Sequence, residues 1–257
     1  MIRIRGLALR VGGRTLLSEL NFSIKAGELV AIVGPNGVGK TTLLRALCGL
    51  HREFSGEIAI QAQIIELYSP TQRSRAIAYV ASDETMLEML TVRDIVASGR
   101  FAYHRWFDWR ETTHDGDVIA AALGAVSMLD FSDRLFATLS SGERQRIWLA
   151  LGLAQDAPIL LLDEPTSHLD VRVAHDILLL LRRQRDLGKT VVCVLHDINE
   201  ALEFADRILI LGGGTLLAAC EAAEVVPSGA LERAYGITME AVHTSNGSVR
   251  VFPRSSV

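Results

Sequence analysis

The stretch Gly34-Pro35-Asn36-Gly37-Val38-Gly39-Lys40-Thr41 constrains this chain more than any other. It fits the pattern G-x-x-x-x-G-K-[ST] of a phosphate-binding loop. With ordinary residue frequencies, a chain of this length shows that pattern by accident about once in a hundred. The setting narrows the reading. An apolar run, Leu29 to Val33, precedes the loop, and a helical pattern, Thr41 to Leu50, follows it. Glycines let backbone N–H groups turn inward around phosphate oxygens, and a helix N-terminus adds favourable partial charge. Lys40 has the reach for β- and γ-phosphates, and the Thr41 hydroxyl suits Mg2+. The residues from Gly34 through Thr42 are therefore the candidate nucleotide contacts. The alternative, a glycine-rich turn with a solvated lysine, explains neither the strand before nor the helix after.

Three further apolar runs, Ile77 to Val80, Ile159 to Leu162 and Val191 to Leu195, have the length and continuity of strands buried on both faces. Helical patterns lie between them, which predicts an α/β fold with a mostly parallel sheet. Short β-like pieces, Ile2 to Leu9, Phe22 to Ile24 and Glu57 to Ile60, with turns at Gly12-Gly13 and Ala26-Gly27, predict an antiparallel β subdomain. From about Thr85 to Asp156 the pattern is helical, around Val92 to Ser98, Val118 to Met128 and Gly142 to Gln155. The expectation is one domain over 1–257. Residues 1–84 and 156–215 would hold the core and β subdomain, 85–155 an inserted helical subdomain, and 216–257 a C-terminal extension.

Composition excludes some classes. The net charge of -4 gives no basic excess for a nucleic-acid backbone. The longest apolar runs fall well short of the roughly 18 residues a membrane span needs. The N-terminus has no long apolar stretch, so no secretory signal is expected. Cys48, Cys193 and Cys220 are odd in number and widely spaced, as small core residues in a reducing compartment would be.

Chemistry collects at strand ends, where open α/β sheets bind ligands. Ile159 to Leu162 runs into Asp163-Glu164. Two acids at the end of a dry strand need a cation or hydrogen bonds, and nucleotide-bound Mg2+ is the natural partner for Asp163. Glu164 is then placed to polarise an attacking water as general base. Solvated acids at a strand exit are the plainer alternative, less apt beside a phosphate loop. His196 follows Val191 to Leu195, and Ser82 follows Ile77 to Val80 by one residue. His196 alone would serve as a structural histidine. At this strand end it suits contact with a γ-phosphate.

These segments resemble the ATP-binding cassette (ABC) ATPases. Leu139-Ser140-Ser141-Gly142-Glu143, followed by Arg144-Gln145-Arg146 and an apolar helix, is similar to the family's signature loop. Ser167-His168-Leu169-Asp170 looks like its D-loop, and His196 falls at its H-loop. Order and spacing match from about residue 1 to 215. The resemblance implies MgATP as substrate, with Lys40, Glu164 and His196 catalytic and Thr41, Asp163 and Ser82 around the metal. It implies that Val11, Ser140, Ser141, Gly142, Glu143 and Asp170 contact nucleotide. It implies a homodimer with two composite sites, each ATP lying between one chain's phosphate loop and the other's signature loop. Locally, Ser140 or Ser141 can cap a helix starting near Gly142. Arg144 and Arg146 in its first turns would be mildly unfavourable without an anion, although solvated arginines on a plain capped helix remain the alternative.

The chain departs from the family at three places. Val11 stands where relatives carry an adenine-stacking aromatic, which weakens packing on the base. Ser82 stands at the Q-loop glutamine, too short to reach metal and water unless a water bridges or Asp83 substitutes. Ser141 replaces the first signature glycine. Thr91 to Val96 with Gly99-Arg100, and Leu231 to Tyr235-Gly236 with Val251-Phe252-Pro253, are similar to importers of iron–siderophore, haem or cobalamin complexes. Two transmembrane permease subunits and an extracytoplasmic substrate-binding protein are then implied, with this chain peripheral on the cytoplasmic face. Arg93 and Tyr103-His104-Arg105-Trp106 are candidates for permease docking, or ordinary surface. Two rival readings are an ATP-sensing interaction protein with weak turnover and a soluble cassette ATPase outside transport.

Overall fold

A computed structural model of the chain describes residues 1–81, 89–104, 110–244 and 249–254. In chain order the first elements are β1 (Ile2–Val11), β2 (Arg14–Ile24), β3 (Leu29–Val33), α1 (Lys40–Leu47), β4 (Phe54–Ile60) and β5 (Gln63–Ile64). Next come α2 (Pro70–Ala76), β6 (Ile77–Val80), α3 (Val92–Ala97), α4 (Thr113–Ala125), α5 (Ser141–Ala154), β7 (Ile159–Asp163) and α6 (Val171–Asp186). The last are β8 (Thr190–Val194), α7 (Ile198–Phe204), β9 (Arg207–Gly212), β10 (Thr215–Glu221), α8 (Ala222–Val225), α9 (Ala230–Tyr235), β11 (Met239–His243) and β12 (Val249–Pro253). They fall into two compact units, Met1–Leu67 with Thr190–Val257, and Tyr68–Lys189.

In the first unit, β2, β1, β4 and β5 form an antiparallel sheet in that order. Along β1 the buried Ile2 and Ile4 alternate with exposed Arg3 and Arg5, the period of a strand wetted on one face. A register shift between Ile4 and Leu7 then resets the phase, so that Leu7 and Leu9 also face inward. The second sheet differs. β3 pairs in parallel with both β8 and β9, and β10 runs antiparallel to β9. Every residue of β3 and β8 is buried, which is why both read as unbroken apolar runs. α1 buries Leu43, Leu44, Ala46 and Leu47. It ends three residues before the predicted Leu50, because Gly49 takes a left-handed conformation. There the N–H groups of Gly49 and Leu50 donate to Ala46 O and Arg45 O. Cys48 and Cys193 are buried, and burial pushes the Cys193 thiol up to about 12.

In the second unit, β6 and β7 pair in parallel from Ile77↔Ile159 to Val80↔Leu162. α5 packs beside them at Gly152, where a Cβ would lie 2.6 Å from Val80 Cγ2. The helical region expected over 85–155 contains α3, α4 and α5. Each begins with a reciprocal cap: Thr91 with Asp94, Thr112 with Asp115, and Ser140 with Glu143. Phe136 meets Trp148 edge to face at 5.3 Å. A buried ion pair, Arg100 Nε to Asp115 Oδ1 at 2.9 Å, crosses the same core, and Arg100 Nη1 donates to Ala154 O at 2.9 Å. Burial opposes ionisation of Asp115. Bonds from Thr112 and Arg100 outweigh it and hold the carboxyl well below the usual range. Among the described residues, no helix is long and apolar enough to cross a membrane.

Candidate functional site

The phosphate loop lies in the first unit, between β3 and α1. Gly34 has φ 152°, and a Cβ there would sit 2.4 Å from Leu211 O. Gly39 has φ 112° and presses against Leu16 and Leu17, with a built Cβ 3.0 Å from Leu17 Cδ1. Both positions exclude side chains, so the loop keeps its backbone exposed as a cradle. Asn36 and Gly37 are exposed at its tip, Pro35 and Val38 are half-buried, and Val38 N donates to Pro35 O at 3.3 Å. Lys40 is only 5% exposed. A buried ammonium needs acceptors, and Nζ donates to Gly34 O at 2.8 Å and Pro35 O at 3.1 Å. The lysine thus braces the loop that precedes it and holds positive charge at its centre. Thr41 and Thr42 are half-buried in the first turn of α1.

The same unit carries two other predicted contacts. Val11 ends β1 and is 51% exposed. His196 is exposed one residue beyond Leu195, whose N–H donates to Ile32 O at 3.1 Å. Asp197 caps α7 through Asn199 N.

The second unit carries the acids and the signature segment. Asp163 ends β7 and is 1% exposed. Tyr79, on the neighbouring β6, donates its hydroxyl to Asp163 Oδ2 at 3.3 Å. Glu164 follows in a left-handed conformation, φ 53°, which non-glycine residues adopt at a cost of about 1–3 kcal/mol. Ser167 folds back over it: its N–H donates to Glu164 O at 3.2 Å and its hydroxyl to Glu164 Oε2 at 3.3 Å. His168 is exposed at φ 61°. Asp170 caps α6 by accepting from Val173 N at 2.9 Å.

At the signature segment Ser140, not Ser141, is the cap. Its hydroxyl accepts from Glu143 N, and its N–H donates to Glu143 Oε2 at 2.7 Å. The Ser140 N–H and hydroxyl both donate to Glu143 Oε2 and hold that carboxyl below its usual range. Ser141 is the exposed first residue of α5, and Gly142 follows with room for a Cβ. Arg144 donates to Leu139 O, and Arg146 donates to Val126 O and pairs with Asp176 at 3.0 Å. Both arginines thereby have carbonyl or carboxylate partners in their own unit, which answers the expected penalty at a positive helix end. Ser82, Asp83, Arg105 and Trp106 lie outside the described residues. Arg93 pairs with Glu111, and Tyr103 donates to Gln155 O at 3.1 Å under the Arg100 guanidinium, 4.0 Å from its ring centre.

No motif marks Tyr79 as a partner of Asp163 or Ser167 as a partner of Glu164. The only signal for Tyr79 was a hydroxyl within an otherwise apolar run, Ile77-Ala78-Tyr79-Val80.

The chain is similar to known proteins in sequence and in fold. A family model described as ABC transporter matches residues 17–167. The hemin import ATP-binding protein of Nocardia farcinica is 38% identical over 258 residues, covering 98% of this chain and 88% of the relative. A metal-chelate type ABC transporter, solved in an inward-facing conformation, aligns with TM-score 0.85 and 27% identity over 99% of this chain and 97% of its own. A dimeric post-hydrolysis structure of the ATP-binding cassette MJ0796, bound to ADP and Pi, aligns with TM-score 0.76 and 28% identity over 86% of this chain and 99% of its own.

Proposed function

Because this chain belongs to the ABC transporter family and is an ATP-hydrolysing subunit, we propose that it energises import of a metal chelate, an iron–siderophore, haem or cobalamin complex. The observation that carries the reading is the backbone cradle from Gly34 to Gly39, closed on the buried Lys40 at the head of α1. The hemin named for the Nocardia farcinica relative and the metal-chelate type of the solved transporter support that class.

The proposed roles follow from chemistry. N–H groups of the loop and the Lys40 ammonium bind the β- and γ-phosphates. Val11 packs beside adenine as an aliphatic substitute for a stacking ring. The chemistry of two side chains suits Mg2+: the half-buried Thr41 hydroxyl and the buried Asp163 carboxylate are each hard oxygen ligands and would hold it beside nucleotide. When bound, Mg2+ neutralises charge developing on the phosphates. Tyr79 fixes the Asp163 oxygen that it hydrogen-bonds. Ser82 is assigned to the metal's surroundings on its sequence position alone. Glu164 takes a proton from the attacking water, and His196 steadies the γ-phosphate. A proton held by Glu164 returns to solvent at its half-buried position.

We assign the signature segment to a second copy's nucleotide, with the dimeric cassette relative in support. Ser140, Ser141 and Gly142 then present the positive end of α5 to phosphate. Glu143 and Asp170 act there through the caps they make. The partners are a second copy, two permease subunits and, indirectly, an extracytoplasmic substrate-binding protein. That assembly puts the chain on the cytoplasmic face of the membrane.

The test measures phosphate release by wild type and Glu164→Gln, with and without permease subunits. Turnover in wild type that collapses in Glu164→Gln, with nucleotide binding retained, is the expected result. Equal turnover in both overturns the assignment of the base. Absence of wild-type turnover under both conditions overturns the energising role.

A further inference from the structure

One side chain fastens the C-terminal hairpin to the helix that follows His196. Val251, on β12, is buried. Its N–H donates to Asn199 Oδ1 at 2.8 Å, and its C=O accepts from Asn199 Nδ2 at 3.2 Å. Both backbone groups are therefore turned toward α7, where an amide side chain offers what a neighbouring strand would offer. The contact spans 52 residues of sequence. Beside it, Arg250 and Glu203 form an exposed pair at 2.9 Å.

Asn199 stands in the first turn of α7, and its own N–H donates to the cap residue Asp197 at 2.7 Å. On the other side of His196, Leu195 N is bonded to Ile32 O of β3. The segment 195–199 is thus fixed at one end by the sheet and at the other by Asn199. His196 lies between the two fastenings. α7 has seven residues, too few to hold a helical orientation without tertiary contacts.

We propose that Asn199 is a positioning residue for His196: through Val251, the C-terminal hairpin sets the entry of α7 and hence where the imidazole meets the γ-phosphate. This inference rests on the reading of His196 given above. The extension beyond residue 215 is then part of the hydrolytic apparatus rather than an appendage. Asn199 itself touches no reacting atom.

The experiment uses the purified full-length chain with Asn199→Ala, Val251→Pro and the two combined. Val251→Pro removes the N–H that Asn199 receives, and its ring takes the place of that hydrogen, so that the Asn199 side chain must turn away from β12. Each single change is expected to lower kcat about tenfold, with KM for ATP within twofold of wild type. The combined variant is expected to lose no more than the worse single change, because both break one link. In chain labelled with 15N-histidine, the His196 imidazole signals, assigned through His196→Ala, are expected to move in Asn199→Ala. Asn199→Asp, which keeps the acceptor for Val251 N–H, is expected to recover part of kcat. A purely structural staple would lower the melting temperature and leave kcat and the imidazole signals in place, and that result overturns the proposal. Two controls separate the failures. If His196→Ala leaves kcat unchanged, the role of His196 falls and this inference with it. If His196→Ala abolishes turnover while Asn199→Ala and Asn199→Asp retain it fully, the positioning role falls alone.

Discussion

Gly142→Ala tests the composite site most directly, because folding and function predict opposite effects. Gly142 is the second residue of α5, and its φ is outside the left-handed region. A Cβ there would meet Val173 methyls at 3.6 and 3.8 Å and Leu169 Cδ2 at 4.0 Å, all ordinary contacts. Nothing within the unit asks for glycine. Glycine in a helix costs about 0.5–1 kcal/mol relative to alanine. The substitution should therefore stabilise the isolated chain by about that much, raising its melting temperature by about 1–4 °C for a chain of this size. If a γ-phosphate from a second copy must approach this backbone, the new methyl displaces it. Losing one hydrogen bond to a charged group costs about 1.5–3 kcal/mol, or about 10- to 150-fold in rate. The assay pairs phosphate release at saturating MgATP with thermal unfolding of the same sample. Full activity with a raised melting temperature would refute the close approach at α5. A lowered melting temperature would refute the open space argued from the helix.

Three other outcomes are expected. Lys40→Ala removes a buried ammonium and, with it, the charge-assisted bonds to phosphate proposed for it, so affinity for a fluorescent ATP analogue should fall at least tenfold; unchanged affinity would contradict the phosphate assignment. Tyr79→Phe removes a hydroxyl that donates to the Asp163 carboxylate, a bond of a kind worth about 1.5–3 kcal/mol, so the Mg2+ dependence of phosphate release should shift to higher concentration while ATP binding without metal stays put. Asp115→Asn breaks a buried pair and should destabilise the chain by about 3–5 kcal/mol at pH 7 in urea unfolding. The Asp115 carboxyl is held below its usual range, so its stabilisation is present above the unfolded carboxylate pKa, near 3.9, and is lost as pH falls below it. The gap between wild type and variant should accordingly narrow in acid, and a gap constant down to pH 3 would contradict the ion pair.

What the sequence disclosed about this chain follows the range of each constraint. The phosphate loop was legible because Gly34 and Gly39 answer steric demands that only glycine meets, although Leu211, which imposes the first, lies far along the chain. β3 and β7 were legible because strands buried on both faces need no polar alternation. α6 shows no helical period in its most apolar stretch, Ile177 to Leu181. Five consecutive apolar residues carry no period of their own, and the helical face emerges when Ala174, Ile177, Leu178, Leu181 and Gln184 are seen buried together. Ser140 and Ser141 looked equivalent as caps until the reciprocal partner is counted. Glu143 stands three residues after Ser140, the spacing of a capping box, so the local rule already contained the answer. Tyr79 and Asp163, 84 residues apart, and Asn199 and Val251, 52 apart, obey no local rule. They meet because strands and helices bring them together, and the roles proposed for Tyr79 and Asn199 are to hold Asp163 and His196, residues whose own identity the sequence shows. The residues that carry chemistry are conspicuous in a sequence by type and spacing. Those that aim them are ordinary residues whose importance is conferred by the fold.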